Sequence, residues 1–559
     1  MKIAVAQIRV YANNPERNFA TIEKYVNEYK DKCDLIVFPE MCVGGYFVSD
    51  KYFNEDFINV LLGYNQRIKQ LSHDVGIVWG NVYKEGNRLY NTAFFAYKND
   101  WVDKGRYYKQ LLPSYGVFDD NRYFVSGKEN RIFTFNGQKI ALQVCEDLWD
   151  SNYENNVTSK LIEMNPDIII NISCSPWTNY KQDQRTEEIK KKDFNVPFVY
   201  VNSVGMQNIG KNVLLLDGNS QVLIDDKTYY LNNSFEEEVK VIDFNDFKHN
   251  EASPKSEVYK ALQTALKCFD EEVFGSRMKW IVGVSGGLDS SVSLAVLATT
   301  LPKDRVIGVT MPSKHTSSTT LNNAKHLCDM LGVELRTVEI GDLVDATVNS
   351  LKKADYDEIS GFDLENVQAR IRGHVLMSVA SIEGGVVINN GNKVEIAFGY
   401  ATMYGDMIGA LSLLADLTKI EVGELAQDIN ETYQKEIVPY NLIPIIEESN
   451  VTWDFKPSAE LRDNQVDPMK WGYHDLLIQY LMKHNSESLI KKHQDGSIYD
   501  LKLSDYLKQY GLDDFKTFVD DLKWVEGNIK RAVYKRIQAP PIVVCSDCSF
   551  GLDYKESQF

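Results

Sequence analysis

Three polar residues stand where apolar runs end: Glu40 after Phe38-Pro39, Lys109 within Tyr107-Tyr108-Lys109-Gln110, and Cys145 directly after Ile140-Ala141-Leu142-Gln143-Val144. A carboxylate, an ammonium and a thiol are the groups needed to open a carboxamide. The carboxylate takes the thiol proton and later activates water, and the ammonium favours the thiolate and the tetrahedral oxyanion. Taken singly, a buried cysteine is usually inert and a loop lysine is usually solvated. A second set is contiguous. The apolar run Trp280-Ile281-Val282-Gly283-Val284 breaks at Ser285-Gly286-Gly287-Leu288-Asp289-Ser290-Ser291, and a second apolar run begins at Val292. That order predicts a buried strand, a tight turn and a helix N-terminus. Unpaired N–H groups and the positive end of the peptide dipole suit a phosphate there. Gly286 and Gly287 allow close backbone approach, the hydroxyls of Ser285, Ser290 and Ser291 add donors, and Asp289 fits beside an anion if a divalent cation bridges them. The lysine of the ordinary P-loop is absent.

The flanking segments must hold these residues in place. In the first half, strands are predicted over 2–7, 35–38, 76–82, 90–97, 140–144, 168–172 and 198–202, with helical periodicity over 18–29. This predicts an α/β layered domain over residues 1–245. A polar, turn-rich stretch, residues 246–256, predicts a linker, and residues 257–559 form the second domain. There an amphipathic helix leads into the Ser-Gly-Gly turn. Strands at 306–310, 333–338 and 386–390 then alternate with helical runs, as in a doubly wound parallel sheet. In Leu364–Gly373, Asn366 and Arg370 are expected on a face turned to a pocket. Residues 391–395 are expected as a loop, whose Glu395 could complete a magnesium site with Asp289. Thr418-Lys419-Ile420-Glu421 is a capping-box pattern. It places Lys419 in a first helical turn, where a cation opposes the dipole unless an anionic ligand lies in front of it; a lysine swung into solvent is an equal alternative.

In order and spacing, Glu40, Lys109 and Cys145 resemble the carbon–nitrogen hydrolase (nitrilase) superfamily, and the words K-x-x-L-P-x-Y-G-V-F and C-E-D-L-W resemble its glutamine-hydrolysing branch. The resemblance implies a nitrilase-like α/β sandwich, with Glu40 as general base, Lys109 on the oxyanion side and Cys145 as the nucleophile forming a glutamyl thioester. Tyr115, Ser175 and Lys181 match its glutamine-binding positions. Asp120 stands where many relatives have Glu, so a supporting role there is in question. S-G-G-x-D-S-S resembles the loop of the ATP pyrophosphatases. With E-N-x-Q-A-R-x-R-G, G-N-K-x-E, Y-G-D and P-S-A-E-L, it resembles the NAD synthetases, and the two halves together resemble the glutamine-dependent NAD⁺ synthetases. That resemblance implies an ATP site at Gly283, Val284, Ser285, Gly286, Gly287, Leu288, Asp289, Ser290, Asn390 and Lys419. It also implies a deamido-NAD⁺ site at Asn366, Glu395, Asp406 and Lys535, and Mg²⁺ at Asp289 and Glu395. Asn390 replaces a common Thr, Val394 a common Ser, and Pro468 a common acidic residue.

The implied reaction amidates deamido-NAD⁺ with glutamine nitrogen, cleaving ATP to AMP and pyrophosphate through an adenylate. Ammonia is largely protonated at pH 7, so a sheltered route is expected, along with a homo-oligomer and no tightly bound organic cofactor. An amidotransferase of the same class acting on another carboxylate, or a non-catalytic nucleotide-binding regulator, are the alternatives. The formal charge of −18 argues against nucleic acid as a partner. No apolar run approaches the roughly 20 residues of a membrane span, and the opening Met1–Gln7 is too short for a signal h-region. Eight irregularly spaced cysteines are expected as reduced thiols of a cytoplasmic protein; Cys545 and Cys548 are expected to be ordinary C-terminal residues, not zinc ligands.

Overall fold

The β-branched and aromatic runs of the first half pair into two sheets of six strands each. The computed structural model describes residues 1–244, 246–247, 257–356, 358–447, 450–458, 460–462, 465 and 467–556. Its contacts divide the chain into two units, Met1–Thr264 and Ala265–Phe559. Most of the expected 246–256 linker lies outside the described residues.

In the first unit, β1 (Lys2–Gln7), β2 (Leu35–Val37), β3 (Gly76–Glu85), β4 (Arg88–Tyr97), β5 (Asp100–Tyr108) and β14 (Glu238–Asp243) form one sheet, in the order β14-β1-β2-β3-β4-β5. The second sheet comprises β6 (Ile132–Phe135), β7 (Gln138–Val144), β8 (Ile168–Ser173), β9 (Phe198–Asn202), β12 (Gln221–Ile224) and β13 (Lys227–Tyr230), in the order β13-β12-β9-β8-β7-β6. Between these last strands, β10 (Val204–Ile209) and β11 (Asn212–Asp217) pair antiparallel. Val5, Val37, Val78 and Phe95 of one sheet meet Phe133, Leu142, Ile170 and Val199 of the other in a single apolar core, which is the sandwich arrangement. Helices α1 (Pro15–Tyr29) and α2 (Glu55–Leu71) each bury one apolar stripe and open on an Asn cap, Asn14 and Asn54, as helix starts favour. A short α3 (Asp120–Tyr123) follows β5, while Leu161 of α4 (Val157–Glu163) and Ile189 of α5 (Lys181–Lys190) join the core on the other side of β7, β8 and β9. In each sheet the central strands are parallel: β1, β2 and β3 in one, β7, β8 and β9 in the other. The exits of β2, β7 and β8 carry Glu40, Cys145 and Ser175.

The second unit begins within α6 (Val258–Phe274). Six parallel strands follow: β15 (Lys279–Gly283), β16 (Val306–Thr310), β17 (Glu334–Thr337), β18 (Gly385–Asn389), β19 (Leu411–Ser412) and, far along the chain, β22 (Ile542–Val543). Their spatial order is β22-β19-β18-β15-β16-β17, the doubly wound pattern whose order reverses between β15 and β18. Helices α7 (Leu288–Thr300), α8 (Ser318–Leu331), α9 (Gly341–Lys352), α10 (Phe362–Glu383), α11 (Lys393–Phe398) and α12 (Lys419–Tyr433) intervene. A small hairpin, β20 (Ile445–Glu447) and β21 (Asn450–Thr452), precedes α13 (Tyr473–Leu481), α14 (Ser486–Asp495), α15 (Phe515–Arg531) and α16 (Val533–Gln538). Leu477, Leu489, Phe518, Leu522 and Val525 pack with Val394 and Phe398 of α11 into a separate core. The expected loop at 391–395 is corrected here. Asn392 caps α11, accepting the N–H groups of Val394 and Glu395, and the Glu395 carboxylate accepts the Asn392 N–H in return. Asn at the cap and Glu three residues on make a reciprocal capping box, which outweighs the turn propensity of Gly391-Asn392.

Candidate active sites

The exit of β7 turns sharply. Cys145 takes a left-handed φ of +44° and opens a 3₁₀ turn, Cys145–Leu148. A non-glycine residue in that region costs about 1–3 kcal/mol and persists where the surroundings over-determine it. Here Asp147 supplies the constraint. Its carboxylate accepts the N–H groups of Val144 (3.0 Å), Gln110 (3.0 Å) and Leu111 (2.9 Å) and the Tyr107 hydroxyl (2.9 Å). One buried carboxylate thus ties the Cys145 turn to the segment carrying Lys109.

Glu40 and Lys109 are joined at 3.0 Å, both side chains fully excluded from solvent. Glu40 Oε1 also accepts from Asn91 Nδ2 (2.7 Å), and Oε2 from the Cys174 N–H (2.9 Å). Gly80 of β3 makes room, because a Cβ there would lie 2.5 Å from the Glu40 Cα. Lys109 Nζ reaches Asp120 at 2.8 Å, and the other Asp120 oxygen accepts the Tyr46 hydroxyl at 2.5 Å. Asp120 therefore reaches Lys109 despite its shorter arm. Its shorter arm is seated by α3, whose first residue it is, and both its oxygens are engaged. Burial pushes the Cys145 thiol well above its ordinary pKa; Glu40 adds to the shift and Lys109 opposes it. A thiol shifted upward in this way needs a base before it can attack, and Glu40 is the carboxylate that acts on it most strongly.

Beside this trio, Glu146 accepts the hydroxyls of Tyr115 (3.0 Å) and Tyr153 (2.9 Å). Burial raises its pKa and Lys109 opposes. Lys181 starts α5, with its ammonium 4.1 Å from the Trp149 ring centroid, and burial, then Arg185, lowers its pKa. Ser175 is fixed through its backbone: its N–H and carbonyl pair with the Asn202 amide at 2.9 and 3.3 Å. A carboxylate with two phenols, electrostatically coupled to a buried ammonium, complements the two charged ends of an α-amino acid. Glu146 is a residue that sequence reasoning passed over, although it adjoins Cys145; Tyr153 had no motif to mark it.

In the second unit the switch point opens a cavity of about 330 Å³, lined by residues 283–285 and 287–290 of the turn, by Asn389 and Asn390, and by Glu395, Asp406 and Lys419. Gly286 has φ +77°, and a Cβ there would fall 2.1 Å from the Thr320 carbonyl oxygen, so glycine is required. Ser285 and Ser290 bond each other at 3.0 Å, and the Gly287 N–H donates to Ser285 Oγ at 3.3 Å. Ser291 differs from expectation: its hydroxyl donates to the Gly287 carbonyl at 2.8 Å because it sits one turn into α7, facing backwards along the helix. Asn390 Nδ2 donates to the Gly283 carbonyl at 3.0 Å, which braces the turn from β18.

Asp289 is bonded to Lys419 Nζ and accepts from Asn392 Nδ2 at 3.2 Å. The solvent-directed alternative for Lys419 does not hold; its ammonium is buried in the cavity wall. Burial raises the Glu395 pKa to about 8, and Asp289 and Asp467 add to the shift while Lys419 opposes it. Such a set of acids in a low-dielectric pocket suits a cation that arrives with phosphate oxygens. Asn366, Asp406 and Lys535 converge on one loop. Asn366 Oδ1 accepts from Thr402 Oγ1 (2.8 Å), Asp406 Oδ1 accepts the Thr402 N–H (2.5 Å), and Lys535 Nζ donates to the Gly399 and Ala401 carbonyls (2.7 and 2.6 Å). Asp406 lines the cavity. The expected pocket face of α10 is corrected: Arg370 is exposed and reaches the Met403 carbonyl, whereas Ala369, Arg372, Gly373 and Leu376 face the cavity. The apolar partners of α10 set its rotation, and residues 369, 372, 373 and 376 share one helical face.

Comparison with known proteins gives two family matches: carbon–nitrogen hydrolase over residues 2–235 and NAD synthase over residues 262–509. A glutamine-dependent NAD(+) synthetase of Acinetobacter baylyi is 32% identical over 87% of this chain and 88% of its own length. One from Synechocystis sp. is 30% identical over 93% and 92%. The solved structure of the glutamine-dependent NAD⁺ synthetase of Acinetobacter baumannii, in complex with ADP, superposes with a TM-score of 0.73 at 27% identity, covering 96% of this chain and 94% of that one.

Proposed function

Because the chain belongs to the glutamine-dependent NAD⁺ synthetase family, we propose that its two sites divide one reaction between them, with the following residues in the following roles. The enzyme makes NAD⁺ from deamido-NAD⁺ with ATP, and its glutaminase domain supplies the ammonia. The observation that carries the assignment of roles is the solvent-free Glu40–Lys109 pair, electrostatically coupled to the buried Cys145, in a chain whose other unit holds the Gly283–Ser290 turn at a sheet switch point.

In the first site, glutamine lies with its ammonium at Glu146 and Tyr115 and its carboxylate at Lys181, with Ser175 alongside. Glu40 takes the thiol proton as Cys145 sulfur bonds the carboxamide carbon, while Asp120 orients Lys109, whose ammonium holds Glu40 and the developing oxyanion in register. The C–N bond breaks, the proton passes to nitrogen, and ammonia leaves a glutamyl thioester. Water deprotonated by Glu40 then releases glutamate and restores the thiol.

In the second site, the backbone of Gly283–Ser290 and the start of α7 hold the ATP phosphates, with Asn390 bracing the turn and Lys419 placing a cation in the wall. Asn366, Glu395, Asp406 and Lys535 serve the dinucleotide directly or through the 399–406 loop. The nicotinate carboxylate displaces pyrophosphate from the α-phosphate; ammonia adds to the resulting acyl adenylate, loses a proton and expels AMP. Asp289 and Glu395 would hold Mg²⁺, which when bound supplies charge neutralisation on the leaving pyrophosphate. Ammonia that equilibrated with solvent would be protonated and inert, which supports a sheltered transfer. The exposed Leu343 of α9 and Phe362, Met377 and Ile382 of α10 support a homo-oligomer. No helix among the described residues is long and apolar enough to cross a membrane, and a cytoplasmic location matches the nucleotide substrates.

The test is Cys145→Ala assayed with both donors. Ammonia-driven formation of NAD⁺ and AMP continues and the glutamine-driven reaction is lost; loss of both in a folded variant would overturn the two-site division.

A further inference from the structure

Helix α10 and the loop at 400–409 meet backbone to backbone. A Cβ on Gly373 would lie 2.5 Å from the Gly405 carbonyl oxygen, and one on Gly405 would lie 2.9 Å from the Ala369 carbonyl carbon. This close approach fixes Arg372, next to Gly373, in the cavity wall. Its Nε donates to the Met311 carbonyl at 3.3 Å, just past the end of β16. Its Nη1 is buried and, among the described residues, has no hydrogen-bond partner. Glu460 and Asp406 attract it electrostatically, yet burial still holds its pKa down, to about 10, and no carboxylate among the described residues forms an ion pair with it.

A buried guanidinium nitrogen with unspent donors is costly unless an acceptor completes it. Arg372 sits in the wall of a cavity read above as a nucleotide site, and its planar fork matches two phosphate oxygens better than any other side chain does. Lysine at this position would offer a point charge without the fork. The nearby Glu460 and Asp406 are then best understood as groups that orient the guanidinium without satisfying it.

We propose that Arg372 is a substrate-contacting residue, whose guanidinium binds a phosphate oxygen of ATP or of the dinucleotide acceptor. The inference rests on the cavity being the nucleotide site, so wild-type protein is assayed in parallel with ammonia as donor: failure of the wild type to form NAD⁺ and AMP would overturn that reading, whereas a working wild type leaves Arg372 on trial. Arg372→Gln and Arg372→Lys are compared for KM of ATP, KM of deamido-NAD⁺ and kcat, and the ligand-free proteins for Tm. We expect Arg372→Gln to lower kcat/KM for one or both nucleotides roughly 10- to 100-fold, the size of a lost charge-assisted pair, and Arg372→Lys to recover part of that. A KM effect confined to ATP identifies its phosphates as the ligand, and one confined to deamido-NAD⁺ identifies the dinucleotide diphosphate. The ligand-free Tm of Arg372→Gln is expected to match or exceed that of wild type, because the uncompensated charge is gone. Unchanged kcat/KM for both nucleotides, or a fall in ligand-free Tm with kcat/KM preserved, would show a structural arginine and overturn the proposal.

Discussion

Cys145 is held in a left-handed turn, and burial and Glu40 push its thiol pKa up, so the group proposed to deprotonate the thiol also suppresses its spontaneous ionisation. Glu40→Gln separates these effects. The substitution removes a negative charge and leaves Lys109 with Asp120 as its remaining carboxylate, so the thiol pKa falls. Alkylation of Cys145 by iodoacetamide is expected to move to lower pH in Glu40→Gln than in wild type, while glutamine turnover drops by roughly 10²–10⁴-fold, the usual worth of a general base. An alkylation profile displaced to higher pH would contradict the electrostatic account. At this scale, Glu40, Lys109 and Cys145 were legible because each is chemically out of place at the end of an apolar run. Glu146, Asp147 and Arg372 were not, although all three lie inside quoted motifs. Their roles depend on the direction of a side chain within a 3₁₀ turn or around a helix, which neighbouring residue types do not specify. Asp120 looked too short only because the position of its backbone was unknown.

Among the elements, α11 couples the cavity wall to distant chain. Its first residue, Lys393, is fully buried and bridges Asp416 (3.0 Å), Ser546 Oγ (2.9 Å) and Cys548 Sγ (3.5 Å), while Asp416 also accepts the N–H groups of Cys545 and Ser546. Cys545 and Cys548 thus belong to a buried clasp that seats the helix bearing Glu395. Lys393→Met strands the Asp416 charge and is expected to cost about 3–5 kcal/mol, read as a lower urea midpoint of the second unit, with loss of the ammonia-driven reaction. Unaltered unfolding would show that the clasp carries no load. Gly286→Ala acts on a different element. With φ +77° and the Thr320 carbonyl in the way, the turn before α7 must move, and ammonia-driven turnover is expected to fall with little change in glutamine binding. The parallel strands were readable from their continuous apolar runs. The helices α13 to α15 were not, because they pack on one another and on α11 in a core of their own, and α16 is too short for a clear period. The loop expected at 391–395 shows the limit of turn propensity when a reciprocal cap is available.

For the whole molecule, the acidic balance and the paired family words already indicated a metabolic enzyme with small-molecule substrates. What the sequence could not convey is how the two chemistries are coupled. If ammonia passes without release, an ammonia-scavenging couple such as glutamate dehydrogenase with 2-oxoglutarate and NADPH leaves glutamine-driven NAD⁺ formation intact while abolishing the ammonia-driven reaction; equal inhibition of both would rule out sheltered transfer. The topology also bears on biosynthesis. The sandwich is complete once β14, ending at Asp243, pairs with β1. The nucleotide-binding sheet, by contrast, waits for β22 at Ile542–Val543, and its clasp for Cys548. At roughly 5–20 residues per second, a nascent chain on the ribosome spends on the order of tens of seconds with the sandwich finished and its ammonia-consuming partner unbuilt. Every residue assigned to the glutamine site lies before Asp243, so such half-made chains are expected to hydrolyse glutamine without forming NAD⁺.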